Sequence, residues 1–148
     1  LVKNGAERLG LSIVNAKAND ATVFDEKLGT FDRVLCDVPC SGLGVISKKP
    51  DIKYKSVEQI GNLPSVQYEI LKNCSKYVKK GGRLVYSTCT LNADENENVV
   101  DRFIKENKDF KFTKFELNGV KSKKGKYTFM PHLNGTDGFF VAKMKRMK

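Results

Sequence analysis

The chain has 148 residues, of which 40% are hydrophobic, so its length and composition predict one domain with one core. Its 27 Lys and Arg against 17 Asp and Glu leave a formal charge of +10, which predicts a polyanionic partner such as nucleic acid, or else a lysine-rich solubilising surface. Four cysteines without a CxxC pair, with a single histidine, exclude a zinc site and a disulfide framework. No apolar run approaches the roughly 20 residues of a membrane span. We therefore predict reduced thiols in a soluble, cytoplasmic protein.

The first third of the chain predicts one helix and two strands. Residues 1–9 have a helical pattern that Gly10 ends, and "LSIVNA" at 11–16 has the pattern of a short strand. The run "FDRVLCDV" at 31–38 is continuous and apolar, which is typical of a buried strand.

The middle of the chain predicts a helix followed by a strand. Ser56 and Gln59 form a capping box, and Pro64 can begin a helix that Gly81-Gly82 ends. "RLVYSTC" at 83–89 is then a buried strand. The predicted apolar face of the helix consists of Val66, Ile70, Leu71, Cys74, Tyr77 and Val78.

The last third predicts one helix and two strands. Asn92 with Glu95 caps a helix, and acidic residues fill its first turn. "FKFTKFEL" at 110–117 and "GFFVAKMK" at 138–145 are strands separated by a lysine-rich loop. The predicted apolar side of the helix consists of Val99, Val100, Phe103 and Ile104.

This order of elements predicts an α/β fold. Strands that alternate with helices form a mostly parallel sheet, while the last two strands, with no helix between them, should pair as an antiparallel hairpin. Ligands of such Rossmann-like sheets bind beyond the carboxyl ends of the strands, where both "DVPCSG" and "STCT" lie. We therefore expect Cys40 and Cys89 to follow neighbouring strands and to face one cleft.

The positions of the four cysteines suggest two different roles. Cys36 lies inside an apolar strand and Cys74 on an apolar helix face, so both are interpreted as packing residues. Cys40 and Cys89 follow strands among small polar residues, where packing gains little, although a structural role is the alternative. A thiol there becomes a nucleophile for an electron-poor conjugated carbon if lysines or turn amides lower its pKa.

Three segments together carry a family resemblance. They are "DVPCSGLGVISKKPDIK", "YVKKGGRLVYSTCTLNADENENVV" and "HLNGTDGFFVAKMKR". Over nearly the whole chain the sequence resembles the NOL/NOP/Sun family of RNA cytosine-5 methyltransferases, and within it the bacterial Sun enzymes that act on 16S ribosomal RNA. The resemblance implies a Rossmann-like, S-adenosylmethionine-dependent methyltransferase fold.

The resemblance also implies roles for individual residues. Cys89 would be the nucleophile that adds to C6 of cytosine, and Cys40 would assist release of the methylated base. Asp37 would lie beside the methionine end of S-adenosylmethionine and the cytosine edge, with Pro39 next to it, and Asp20 would bind the adenine. By residue type alone, both aspartates could instead be turn-formers. RNA would be held by the basic residues near the site, Lys48, Lys49 and Lys53.

The sequence departs from the family at its amino-terminal side. A glycine-rich cofactor loop after the first strand and an acidic residue after the second are both absent. We therefore expect residues 1–148 to be the carboxyl-terminal part of a single catalytic domain, without its first two strands, that binds cofactor very weakly. The open sheet edge predicts one of three outcomes: residues before Asp25 close onto the strand of Val34, they detach, or two copies self-associate.

Two other functions fit the same residues. One is a catalytically silent RNA-binding module, because half of the cofactor site is missing. The other is a DNA cytosine-5 methyltransferase, in which Cys40 of the Pro-Cys pair would be the nucleophile. "STCT" argues against the DNA enzyme.

Overall fold

The structure is a computed structural model that describes residues 1–56 and 60–148. The predicted capping box depends on Gln59 and therefore lies outside the described residues. In the described part, the helices are α1 (Val2–Arg8), α2 (Leu63–Lys76), α3 (Glu97–Glu106) and α4 (Pro131–Asn134). The strands are β1 (Phe31–Asp37), β2 (Val78–Thr88), β3 (Phe110–Phe112), β4 (Phe115–Leu117), β5 (Val120–Ser122), β6 (Lys126–Phe129) and β7 (Phe139–Arg146).

The main sheet combines one parallel pair with antiparallel strands. β1 and β2 are parallel, and their register places Asp37 opposite Ser87 at the carboxyl ends. β7 runs antiparallel to β2 on one side and to both β3 and β6 on the other. The parallel pairing of β1 with β2 and the antiparallel pairing of residues 110–112 with the last strand are confirmed. The expected mostly parallel sheet is wrong for the described strands, because β7 pairs antiparallel with each of its three neighbours, and β3 and β7 form no hairpin because β4, β5 and β6 lie between them. The parallel pair places the ends of β1 and β2 at one edge of the sheet.

The predicted strand at 110–117 is interrupted. Residues 110–112 pair with β7, but β4 turns away and pairs with β5 in a separate two-stranded sheet. The reason is competition for the same edge of β7. The Lys143 carbonyl accepts from Thr113 N–H at 2.9 Å, while the Lys143 N–H donates to the Gly125 carbonyl at 2.8 Å. From this point β6, not β4, occupies the edge.

The predicted strand at 11–16 is wrong. These residues form no strand, and Ile13 is 90% exposed. A strand requires a neighbour for its backbone hydrogen bonds, and among the described residues β1 pairs only with β2. Closure of this segment onto the strand of Val34 is therefore not observed. Self-association remains a prediction.

Two predicted helix boundaries are also corrected. The helix that Pro64 opens ends at Lys76, and Val78 already belongs to β2, where a bulge opposite β1 contains Gly81-Gly82. Val66 is 40% exposed and does not belong to the buried face. Asn92 precedes a turn, and Asn96, not Asn92, occupies the N-cap position of α3.

The core lies between the sheet and the helices α2 and α3. Leu84 and Tyr86 of β2 alternate towards it, and Val100 and Phe103 of α3 pack against them. The α1 helix ends as predicted, with Gly10 at φ +66°. Leu35 points away from this core and is 69% exposed. In the described ranges, no helix is long and apolar enough to cross a membrane.

Candidate active site

The two candidate cysteines meet beyond the carboxyl ends of β1 and β2. Cys40 lies three residues after Asp37, and Cys89 directly follows Thr88. Their Sγ atoms are 3.1 Å apart, and both side chains are partly buried. The predicted convergence of Cys40 and Cys89 is confirmed, because parallel neighbouring strands bring their carboxyl ends to one edge. Their chemical roles remain predictions.

Glycines allow the loop after Cys40 to approach the loop after β2. Gly44 donates its N–H to the Cys89 carbonyl at 3.0 Å and accepts from the Gly138 N–H at 2.9 Å. A Cβ on Gly44 would lie 2.0 Å from the Gly138 carbonyl oxygen, so no other residue fits without moving the backbone. Gly42 adopts φ +81°, in the left-handed region. Gly44 and Gly138 thus join the two cysteine loops to the segment that leads into β7.

A buried polar network lies under the two cysteine loops. The Ser41 N–H donates to Glu95 Oε2 at 2.8 Å, and the Ser41 hydroxyl is 2.7 Å from Thr90 Oγ1. Gln67 donates from Nε2 to the same Glu95 oxygen and to the Pro39 carbonyl, both at 2.9 Å. The sequence pattern predicts Glu95 only as part of a helix cap. Its sole sequence signal is an acidic residue close to a thiol motif.

The environment of Cys40 favours its neutral form. Burial raises the pKa of this thiol to about 12, and the neighbouring Cys89 thiol adds to the effect, against backbone N–H groups of Cys89 and Gly42 that lower it. The turn amides therefore do not offset the effect of burial on the pKa of Cys40. In the close pair, either sulfur can be the hydrogen-bond donor.

The other two cysteines belong to the packed interior. Cys36 is 2% exposed within the core, and Cys74 packs against the same cluster. A hydrogen bond with Cys74, together with burial, raises the pKa of Cys36 far above the range in which it could ionise. Their predicted packing role is confirmed.

Asp37 is oriented by Ser87, a residue for which the sequence predicts no role. Ser87 donates from Oγ to Asp37 Oδ1 at 2.7 Å, directly across the parallel register. Asp37 and Pro39 are both exposed at the end of β1. An exposed carboxylate held in this way is a suitable partner for a cationic amino group, so the position fits the methionine end of S-adenosylmethionine.

Asp20 lies on a separate loop between α1 and β1. Its Oδ1 accepts from the Thr22 N–H at 2.9 Å and from the Thr22 hydroxyl at 2.7 Å, and these bonds lower the pKa of Asp20. Asp20 therefore forms a turn, as its residue type predicts. Because the side chain is exposed and both bonds use one oxygen, the carboxylate stays accessible to a ligand.

The three predicted RNA-binding lysines lie on the loop that follows Cys40. Lys48, Lys49 and Lys53 are all exposed, and Lys48 Nζ lies 2.6 Å from Asp137 Oδ2. In the same loop, Lys55 donates from Nζ to the Ser41 carbonyl at 2.8 Å. The loop thus presents positive charge close to the paired thiols.

The architecture defines the class of protein. The solved structure of NSun6 from Pyrococcus horikoshii, determined with SFG, an analogue of S-adenosylmethionine, matches this chain with a TM-score of 0.84 at 31% identity. The match covers 99% of this chain and 38% of that one. The chain therefore has the Rossmann-like fold of S-adenosylmethionine-dependent methyltransferases.

Sequence comparison identifies the family. Residues 1–145 match the family model described as 16S rRNA methyltransferase RsmB/F, and the chain belongs to this family. It is 43% identical to the probable ribosomal RNA small subunit methyltransferase B of Bacillus subtilis, over 99% of this chain and 35% of the relative. It is 37% identical to the mouse 28S rRNA (cytosine-C(5))-methyltransferase, over 98% of this chain and 20% of the relative. The chain thus spans about a third or less of the length of these relatives.

Proposed function

We propose that this chain carries the catalytic thiols of an RNA cytosine-5 methyltransferase that acts on 16S ribosomal RNA through a covalent cysteine adduct. The observation that carries the proposal is the 3.1 Å separation of the Cys40 and Cys89 sulfurs beyond two parallel strands. Membership of the family supports RNA as the substrate class. S-adenosylmethionine, when bound, supplies the methyl group.

Cys89 is the proposed nucleophile. Its thiolate adds to C6 of cytosine and forms a C–S bond, and the displaced π electrons make C5 the nucleophilic carbon that takes the methyl group. Loss of the C5 proton then returns electrons to the ring and breaks the C–S bond. The raised pKa of Cys40 supports this assignment, because a thiol that keeps its proton is a poor nucleophile at neutral pH.

Cys40 is the proposed assistant in release. Its Sγ lies 3.1 Å from the Cys89 sulfur, so a protonated Cys40 can donate a hydrogen bond to the thiolate that leaves C6. Charge-assisted hydrogen bonds are the stronger kind, and this one forms only as the C–S bond breaks. Cys40 therefore lowers the barrier for release without forming a bond to the base.

Aspartates, a proline and lysines complete the proposed site. Asp37, with Pro39 beside it, would hold the methionine end of S-adenosylmethionine, and Asp20 would bind the adenine. The exposed lysines would contact RNA phosphates, and cytosine must leave its stack to reach the thiols. These lysines are Lys48, Lys49 and Lys53.

Covalent trapping tests the two thiol roles in the intact enzyme. With unmodified RNA and S-adenosylmethionine, we expect Cys40→Ala to accumulate an adduct that resists denaturing electrophoresis, while Cys89→Ala forms none. The control Cys74→Ala should behave like the wild type, because this thiol packs against the core. Mass spectrometry of a complex trapped with 5-fluorocytosine RNA locates the bond. A bond on Cys40 would reverse the roles and favour the DNA-type mechanism.

A further inference from the structure

Glu95 is a buried acid at a position where a helix cap had been expected. The residue is 0% exposed, and its side-chain partners Ser41 and Gln67 lie 54 and 28 residues away along the chain. A carboxylate is rarely placed in an interior unless hydrogen bonds satisfy it. Its third partner is the side chain of Asn92, which donates from Nδ2 to Oε1 at 3.1 Å. The side chain of Glu95 therefore joins distant segments.

The two oxygens of Glu95 divide between the two cysteine loops. Oε2 accepts from the N–H of Ser41, the residue after Cys40, and Oε1 accepts from Asn92, three residues after Cys89. The three donors named here are all N–H groups, so the Glu95 oxygens act as acceptors in each of these bonds. One rigid side chain thus links the loop of one thiol to the loop of the other.

Gln67 extends this link to the other side of Cys40. Its Nε2 donates both to Glu95 and to the Pro39 carbonyl, and Gln67 is also 0% exposed. The residues before and after Cys40 are therefore each bonded to the Gln67–Glu95 pair. Because neither side chain reaches the surface, neither can contact RNA.

We propose that Glu95, supported by Gln67, is a positioning residue that holds the Cys40 and Cys89 sulfurs at bonding distance. The proposal rests on the proposed function for its catalytic meaning, since the thiol separation matters only if both thiols act on one base. The effect of Glu95 on the separation of the two sulfurs can be measured without catalysis. Without Glu95, the Cys40 loop loses an acceptor at Ser41, and the thiols separate.

The arsenical phenylarsine oxide measures this separation, because one arsenic bonds two thiols only when they lie close together. In the 148-residue chain, an arsenic atom that bridges Cys40 and Cys89 protects both thiols from alkylation by iodoacetamide. Mass spectrometry measures this protection as the concentration of phenylarsine oxide increases. We expect Glu95→Leu to raise the half-protecting concentration by roughly tenfold, the size of effect that loss of a charged hydrogen bond gives. Glu95→Gln, which keeps an acceptor for Ser41, should retain most of the bridging.

Glu97→Gln is the matched control. This carboxylate lies at the first residue of α3 and accepts from the hydroxyl of Thr128, which lies on β6 and outside both cysteine loops. Its bridging should equal that of the wild type. Circular dichroism and continued protection of Cys36 from iodoacetamide report whether each variant is folded. If Glu95→Leu does not fold, Gln67→Met, which keeps the side-chain volume, takes its place with the same expected direction.

Folded Glu95→Leu or Gln67→Met with wild-type bridging would overturn the proposal. In the intact enzyme, the same variants should lower kcat while KM for RNA stays unchanged, with Glu95→Gln restoring part of kcat. If the wild-type enzyme transfers no methyl group to RNA while the variants lose bridging, the positioning role is supported and the proposed function is rejected. If the wild-type enzyme transfers methyl groups while the folded variants bridge like the wild type, the proposed function is supported and the positioning role is rejected.

Discussion

At the scale of single residues, Cys40 departs from an ordinary thiol because it is partly buried and its sulfur lies 3.1 Å from that of Cys89. Burial is the larger cause of the raised pKa of Cys40, and the Cys89 thiol is the smaller one. An ordinary thiol has a pKa of about 8.5. The folded pKa of Cys40 lies above that value, so its contribution to stability is complete below about pH 8.5 and is lost as pH rises towards 12.

We predict that alkylation of Cys40 by iodoacetamide in the folded chain rises about tenfold per pH unit from pH 7 to 10, because only the thiolate reacts. Mass spectrometry of the Cys40 peptide gives the rate. In Cys89→Ala, the rise should level off at lower pH than in the wild type, yet above pH 8.5, since burial remains. A wild-type rate that levels off near pH 8.5 would show that Cys40 ionises as an ordinary thiol.

At the scale of elements, α2 holds two loops of the candidate site. Gln67 bonds the Cys40 loop, and two turns further along Asn73 donates from Nδ2 to the Ala21 and Val23 carbonyls at 2.8 and 2.9 Å. Tyr77, just after the helix, accepts from the Asp25 N–H at 2.7 Å. The loop that carries Asp20 is therefore attached to α2 by side chains and not by a strand.

We predict that Asn73→Leu loosens this loop while global stability changes little. Two carbonyls lose their donor, but the buried Oδ1 of Asn73, which has no hydrogen-bond partner among the described residues, is removed as well. Hydrogen exchange should accelerate in residues 20–25, and the free energy of unfolding should change by less than about 1.5 kcal/mol. Asn98→Leu, at an exposed position of α3, is the control. Unchanged exchange in residues 20–25 would contradict the role of Asn73.

At the scale of the whole molecule, a charge of +10 over 148 residues predicts RNA binding that depends on salt. The lysine loop after Cys40 competes in this role with a second exposed cluster, Lys121, Lys123 and Lys124, on and after β5. Each cluster carries three positive charges, so total charge does not distinguish the two. They differ in position, because only the first follows Cys40 on the same loop.

We predict that replacing Lys48, Lys49 and Lys53 by Gln reduces the slope of log affinity against log salt by about 2, because each phosphate contact to a single strand contributes roughly 0.7. Fluorescence anisotropy with a ribosomal RNA fragment measures the slope between low and high salt. The control replaces Lys121, Lys123 and Lys124 by Gln, which removes the same charge. Equal slopes in both triple variants would show that RNA responds to overall charge and not to the loop.

Hydrophobic periodicity was enough to predict most of the helices and strands and their order along the chain. The apolar runs that became β1 and β2 place Cys40 and Cys89 after strand ends, and parallel pairing then brings them to one edge. This inference needed only local patterns and the geometry of parallel sheets. The helix at Pro64 and the apolar side of α3 were equally readable, since burial of one helix face imposes a 3.6-residue period.

Features that depend on contacts between distant segments could not be predicted from local patterns. Residues 11–16 have the pattern of a strand but find no neighbour to pair with, and the run at 110–117 breaks because β6 takes its place beside β7. The sequence around Glu95 is typical of a helix cap, but its bonds to Ser41 and Gln67 show that it lies under the loops of both thiols. A local sequence pattern indicates only the propensity of a segment to form a helix or a strand. Strand pairing, the burial of a polar side chain and the sulfur separation of 3.1 Å all depend on contacts between segments that are distant in the chain.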